Sequence, residues 1–341
     1  MTGLITARHR APLRAVARAG VAIVLVVTAL CALHQPAATA ATPRPVIERV
    51  VREGPTQYGF YVYSAAMRRT IKVQVLTPRV DRGSRPVLYM LSGLGEADPR
   101  NSMWLRESDA VSFFAPKNVT VAFPLAGNGS FYTDWQRDDP KLGRYKWETF
   151  LTRELPPLLD AQFSGNGRRA IAGLSMGAGS SLMLAARNPH FYRAAAAYSG
   201  CFTTSGVAGE AYPRAIVHAF GGDADNMWGP PGSPGWADHD VLARSAGLRG
   251  TALYVSVGSG LPGRYDAPGY PGNTNPVDRD VIGGAIEAGA HYCTTLLRQR
   301  LAAQGIPAHF DFVDPGTHSW PYWVDQMHVS WPFIDRALTH R

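Results

Sequence analysis

Apolar residues gather in eight short runs along the chain: Phe60 to Tyr63, Ile71 to Leu76, Val87 to Leu91, Val119 to Phe123, Ala170 to Leu174, Ala194 to Ser199, Leu253 to Val257 and His309 to Val313. Each has strand length and is followed by turn-forming residues. The first runs follow closely on one another, as in an antiparallel meander. From Val87 onward the gaps are long enough to hold helices. Strand and helix alternating at this scale predict an α/β fold, with a mostly parallel eight-stranded sheet flanked by helices on both faces.

Two of the gaps carry helical spacing. Between Tyr145 and Leu159, Trp147, Phe150, Leu151, Leu155, Leu158 and Leu159 recur at three- and four-residue intervals. Pro156 and Pro157 are expected to end or kink that helix, because proline lacks the N–H that continues the ladder. Between Val281 and Leu301, the residues Ile282, Ile286, Cys293, Leu297 and Leu301 are expected to share one core-facing stripe. The stretch 200–250 differs in kind. It is rich in Gly, Pro, Asp and Trp, and predicts a loop-rich insert overhanging the sheet edge where binding loops collect.

Composition changes the picture mainly at the N-terminus. Arg8, Arg10, Arg14 and Arg18 precede an uncharged run from Ala19 to Leu33, and Ala38-Thr39-Ala40 has the small-x-small form of a cleavage site. Residues 1–40 therefore read as an export signal. Its apolar run is short for a bilayer span, which favours cleavage over an uncleaved anchor. Residues 41–341 are long enough for one α/β domain with a sizeable core, and no linker divides them. The chain carries 34 basic and 26 acidic residues; without the four leader arginines the net charge is +4. So small a surplus, with no basic stripe interleaved with aromatics, does not mark a nucleic-acid binder. Cys31 leaves with the leader. Cys201 and Cys293 remain as an even pair in an oxidising compartment, and predict one disulfide. No metal-binding or cofactor-binding motif is present.

The chemistry centres on Gly173-Leu174-Ser175-Met176-Gly177, a G-x-S-x-G pattern after one apolar run and before a stretch of small, helix-forming residues. Strand, sharp turn and helix in that order form a nucleophile elbow, which lifts the Ser175 hydroxyl above the sheet edge. A serine hydroxyl is a poor nucleophile until a base removes its proton. His318, directly after the last strand-like run, is better placed for this than His218, His239 or His291. A carboxylate must then orient the imidazole. Asp266 has the usual spacing, and Glu287 is the alternative, on the second helix. The developing oxyanion needs two backbone donors, expected at Met176 and Leu94.

A wider set of motifs points to a family. Gly173-Leu174-Ser175-Met176, Ser130 to Trp135, Tyr145 to Leu151, Met227-Trp228-Gly229-Pro230 and Thr317-His318-Ser319-Trp320 resemble, in order and spacing, the antigen 85 mycolyltransferases and their corynebacterial relatives. The resemblance covers about residues 60–335. It implies a secreted α/β-hydrolase-fold enzyme of the cell envelope, which moves mycolic-type acyl chains between hydroxyl acceptors through an acyl-serine. It also implies a Ser175, Glu287 and His318 triad, with Glu287 preferred to Asp266. Leu94 and Met176 become the oxyanion donors, and Ser319 and Trp320 lie near the sugar pocket. Where the family has Asp-Gly-Leu-Arg, this chain has Ser92-Gly93-Leu94-Gly95. The charged groups that contact trehalose in the family are thus replaced at Ser92 and Gly95, which points to another hydroxyl acceptor. A secreted carboxylesterase using water, or a non-catalytic envelope-binding protein of the same fold, are the alternatives.

Overall fold

The computed structural model describes residues 44–94, 100–267, 269–270 and 277–340. The expected export signal, its cleavage site and Gly95 lie outside them. Among the described residues, nine strands form a single sheet of order β1-β2-β3-β5-β4-β6-β7-β8-β9. They are β1 Val46–Arg52, β2 Gln57–Ser64, β3 Arg69–Leu76, β4 Arg85–Leu91, β5 Thr120–Pro124, β6 Gly165–Leu174, β7 Ala194–Tyr198, β8 Ala252–Gly258 and β9 His309–Val313. β1, β2 and β3 are antiparallel, and β3 joins β5 antiparallel. From β5 through β4, β6, β7 and β8 to β9 every pairing is parallel.

The extra strand is β1. Its sequence, Val-Ile-Glu-Arg-Val-Val-Arg, carries three charges, and most of its residues are exposed. It is an edge strand held by its ladder to β2, with no buried face to print an alternating pattern. The central strands differ. β4, β5 and β7 are buried at every position, as parallel strands covered on both faces must be. Along β4, Val87, Tyr89 and Leu91 enter one core, while Leu88 and Met90 enter the other.

Helices cover both faces: α1 Met103–Glu107, α2 Ala110–Phe114, α3 Trp147–Thr149, α4 Leu155–Phe163, α5 Met176–Arg187, α6 Gly206–Ala219, α7 Ala224–Trp228, α8 Pro234–Asp238, α9 Gly283–Ala303 and α10 Trp320–Thr339. α5 packs in the first core with Trp147, Phe150 and Leu151. α10 packs in the second through Trp323, Met327, Trp331 and Ile334, with Trp104 and Phe114 beside them. Among the described residues, no helix is long and apolar enough to cross a membrane.

Three local readings change. Pro156 and Pro157 do not end their helix, which runs on to Phe163. A π-turn over Phe150–Glu154 widens the ladder first, so the prolines occupy the first turn of α4, where their missing N–H groups cost no bond. The stretch 200–250 is more helical than its composition implies, holding α6, α7 and α8. On α9 the inward row is Gly283, Glu287, Ala290, Thr294, Leu297 and Leu301. Ile282 and Ile286 instead face solvent. A Cβ on Gly284 would meet the Gly260 carbonyl oxygen at 2.6 Å. Only a residue without a side chain lets the helix and the β8 loop approach so closely, and that contact sets the phase of the helix.

His239, just after α8, is a buried histidine of another kind. Its Nδ1 bonds the Gly235 carbonyl at 2.7 Å, its ring stacks on Trp228, and its Nε2 is buried without a hydrogen-bond partner. Burial, reinforced by the Arg187 charge, pushes its pKa down to about 3. The unfolded chain therefore takes up this proton near pH 6.5 and the folded chain does not. Stability from this residue is present above pH 6.5 and is lost as pH falls toward 3, by about 1.4 kcal/mol per pH unit. Denaturant unfolding between pH 7 and 4 should show that slope, and His239→Gln should flatten it.

Candidate active site

Ser175 joins β6 to α5 with φ 54° and ψ −120°, a backbone geometry L-residues rarely adopt. The tight turn depends on its glycines. A Cβ on Gly173 would meet the Gly177 carbonyl oxygen at 2.2 Å, and one on Gly177 would meet the Ser92 carbonyl oxygen at 2.4 Å. The Ser175 N–H donates to the Tyr198 carbonyl at 2.9 Å, which fixes the elbow to the end of β7. Met176 opens α5, so its N–H belongs to the first turn, which has no intrahelical acceptor.

His318 lies in the loop between β9 and α10. Its Nε2 is 3.0 Å from the Ser175 Oγ, and its Nδ1 is 2.6 Å from Oε2 of Glu287. Glu287 is only 1% exposed, yet its other oxygen, Oε1, accepts from the Ser199 hydroxyl at 2.7 Å and from the Gly258 N–H. A buried carboxylate with three donors is a satisfied charge. The structure thus brings Ser175, His318 and Glu287 into one hydrogen-bonded chain. His218 is exposed, His239 is buried under Trp228, and His291 packs on Phe312.

Asp266, the carboxylate favoured by spacing, serves as a strut beside the histidine. Its Oδ1 accepts from the Thr317 hydroxyl at 2.8 Å, and its Oδ2 from the Tyr322 hydroxyl at 2.7 Å. It fixes the residue before His318, while Glu287 takes the imidazole. The His318 N–H donates to the Gly283 carbonyl at 3.3 Å, so the loop is anchored on the carboxylate's own helix as well.

The loop after β4 completes the rim. A Cβ on Gly93 would lie 3.2 Å from the Ser175 Cβ, and the Leu94 carbonyl accepts the Gly129 N–H at 3.1 Å. Ser92 is buried, and its N–H donates to the Tyr132 hydroxyl at 3.2 Å. Ser319 is buried at the N-terminus of α10. Trp320 packs edge-on against Trp104 at 5.3 Å. Among the described residues, no cluster of three or more His, Cys, Asp or Glu is arranged to hold a metal ion.

Residues 64–334 match the family model described as "Putative esterase". The chain is 33% identical to the diacylglycerol acyltransferase/mycolyltransferase Ag85B of Mycobacterium leprae, over 83% of this chain and 84% of that one. It is 34% identical to Ag85A of Mycobacterium tuberculosis, over 83% and 82% respectively. The chain belongs to the antigen 85 family. A solved structure of the fold, Mycobacterium tuberculosis MPT51 (FbpC1), is 27% identical over 82% of this chain and 97% of its own, with a TM-score of 0.68. A ferulic acid esterase at 20% identity and a TM-score of 0.55 shares the fold.

Within this antigen 85 framework, Cys201 and Cys293 form a disulfide. It joins the segment after β7 to α9, the helix that carries Glu287. Sequence reasoning missed two residues here, Ser199 and Trp323. The signal for Ser199 is its position at the carboxyl end of a parallel strand, where α/β sheets collect their functional groups. Trp323 has no such signal, because an inward tryptophan on a helix reads as core.

Proposed function

We propose that this protein is an exported acyltransferase that moves a mycolic-type acyl chain onto a hydroxyl acceptor through an ester on Ser175. The observation that carries the reading is the hydrogen-bonded chain from the Ser175 Oγ through His318 to Glu287. Relatives named diacylglycerol acyltransferase/mycolyltransferase support the donor class, and the basic, apolar leader supports export.

In the first half-reaction His318 Nε2 takes the Ser175 proton as Oγ attacks the ester carbonyl. The carbonyl oxygen becomes an oxyanion, held by the N–H groups of Met176 and Leu94. The intermediate collapses, and the departing alcohol takes the proton from His318. In the second half-reaction an acceptor hydroxyl gives its proton to His318 as it attacks the acyl carbonyl, and His318 passes that proton to the Ser175 Oγ as it leaves. Glu287 stabilises the imidazolium in both. Ser319 and Trp320 flank the acceptor. Uncharged Ser92, with Gly95 in place of arginine, withholds charge-assisted bonds worth about 1.5–3 kcal/mol each. An acceptor other than trehalose is therefore preferred.

Purified protein incubated with a mycolate ester donor should transfer the acyl chain to an added hydroxyl acceptor faster than to water. Product mass spectrometry with and without acceptors checks this. Release of free acid alone, whatever the acceptor, would make the protein a hydrolase.

A further inference from the structure

We propose that Ser199, oriented by Trp323, is a positioning residue that fixes the direction of the whole hydrogen-bond chain at the active site. This rests on the reading of Ser175, His318 and Glu287 above and adds a fourth and fifth member to it. The Trp323 indole N–H points at the Ser199 Oγ at 2.9 Å. An indole nitrogen can only donate, so the Ser199 oxygen must accept there. Its single proton is then left for Glu287 Oε1, 2.7 Å away. Gly258 N–H reaches the same oxygen. With Oε1 receiving two donors, Oε2 is left for the Nδ1–H of His318. Nε2 is thereby the proton-free nitrogen that faces Ser175. The tautomer required of a general base follows from a donor two residues removed from it.

The backbone at Ser199 supports the assignment independently. Its φ is 56°, in the left-handed region that glycine occupies without strain and serine does not. Glycine would make this turn more easily, yet the chain places a side chain there and a glycine next to it, at 200. The strain is retained together with the hydroxyl. Ser199 is also locked from both sides. Its N–H donates to the Ser256 carbonyl at 2.8 Å, and two residues on, Cys201 is bonded to Cys293 of α9. Trp323 closes the ring by packing edge-on against the His318 imidazole, with centroids 4.9 Å apart.

Ser199→Gly separates positioning from folding, because glycine accepts the backbone geometry and removes only the hydroxymethyl group. With a short soluble ester, its kcat should fall about tenfold to a hundredfold, with KM changed less than about twofold. Circular dichroism should show the variant folded at the assay temperature. Trp323→Phe keeps the ring packing but frees the Ser199 hydroxyl. It should lower kcat less, and the double variant should be no worse than Ser199→Gly alone. Wild-type kcat in Ser199→Gly, while Ser175→Ala is inactive, would overturn the role of Ser199. Full activity in Ser175→Ala would instead overturn the site reading on which it rests.

Discussion

Replacing Ser175 with alanine should lower kcat/KM for ester donors by on the order of 10⁴ to 10⁶, and should abolish labelling by a fluorophosphonate probe. The loss is that large because, in the proposed mechanism, the hydroxyl is the bond-forming group and its neighbours act through it. His318 Nε2 at 3.0 Å has no other proton to take, and Glu287 at 2.6 Å has no imidazolium to stabilise. Glu287→Gln should fall short of that loss. An amide keeps the shape but presents an N–H or an uncharged oxygen to Nδ1, and so both unsettles the tautomer and removes the charge. Stopped assays on a short, soluble ester would give kcat and KM for each variant. Equal probe labelling of wild type and Ser175→Ala would point to the non-catalytic alternative.

The largest effect on stability is expected from the disulfide. Cys201 and Cys293 are 92 residues apart in sequence, so the bridge closes a long loop in the unfolded chain. Opening it by Cys201→Ser with Cys293→Ser should cost about 2–5 kcal/mol, measured by denaturant unfolding. Activity should fall with it before unfolding sets in. Cys201 follows Ser199 by two residues, and Cys293 shares α9 with Glu287, so the bridge fastens together the two segments whose side chains meet at Oε1. An intact-mass measurement on the native protein should show both thiols oxidised. A variant with unchanged stability would mean that the native packing alone holds α9 in place.

Much of this fold could be read from the pattern of apolar runs because parallel central strands are buried on both faces, and such burial leaves its mark in composition. β1 escaped, since an edge strand with exposed charges has no buried row to betray it. The phase of α9 escaped for a different reason. Ile282 and Ile286 look like core residues, but the close approach of Gly284 to the β8 loop turns Glu287 inward. One residue step, about 100° on a helix, then carries Ile286 outward. The same rotation explains why spacing favoured Asp266. A carboxylate in a helix next to isoleucine gives no local sign of facing an active site, and the family resemblance supplied what spacing could not. The elbow was legible because its glycines answer a steric demand visible in five residues. Ser199 was not, because its contribution depends on a tryptophan 124 residues away.

Converging side chains from β6, α9 and the β9 loop matter only if an acyl group passes through them. Digesting the protein after brief exposure to an envelope lipid extract, and weighing the peptide that contains Ser175, tests that passage directly. An added mass equal to the free fatty acid less one water, borne on that serine and removed by an alcohol acceptor, is the predicted result. An unmodified peptide under conditions where ester donors are being consumed would contradict it.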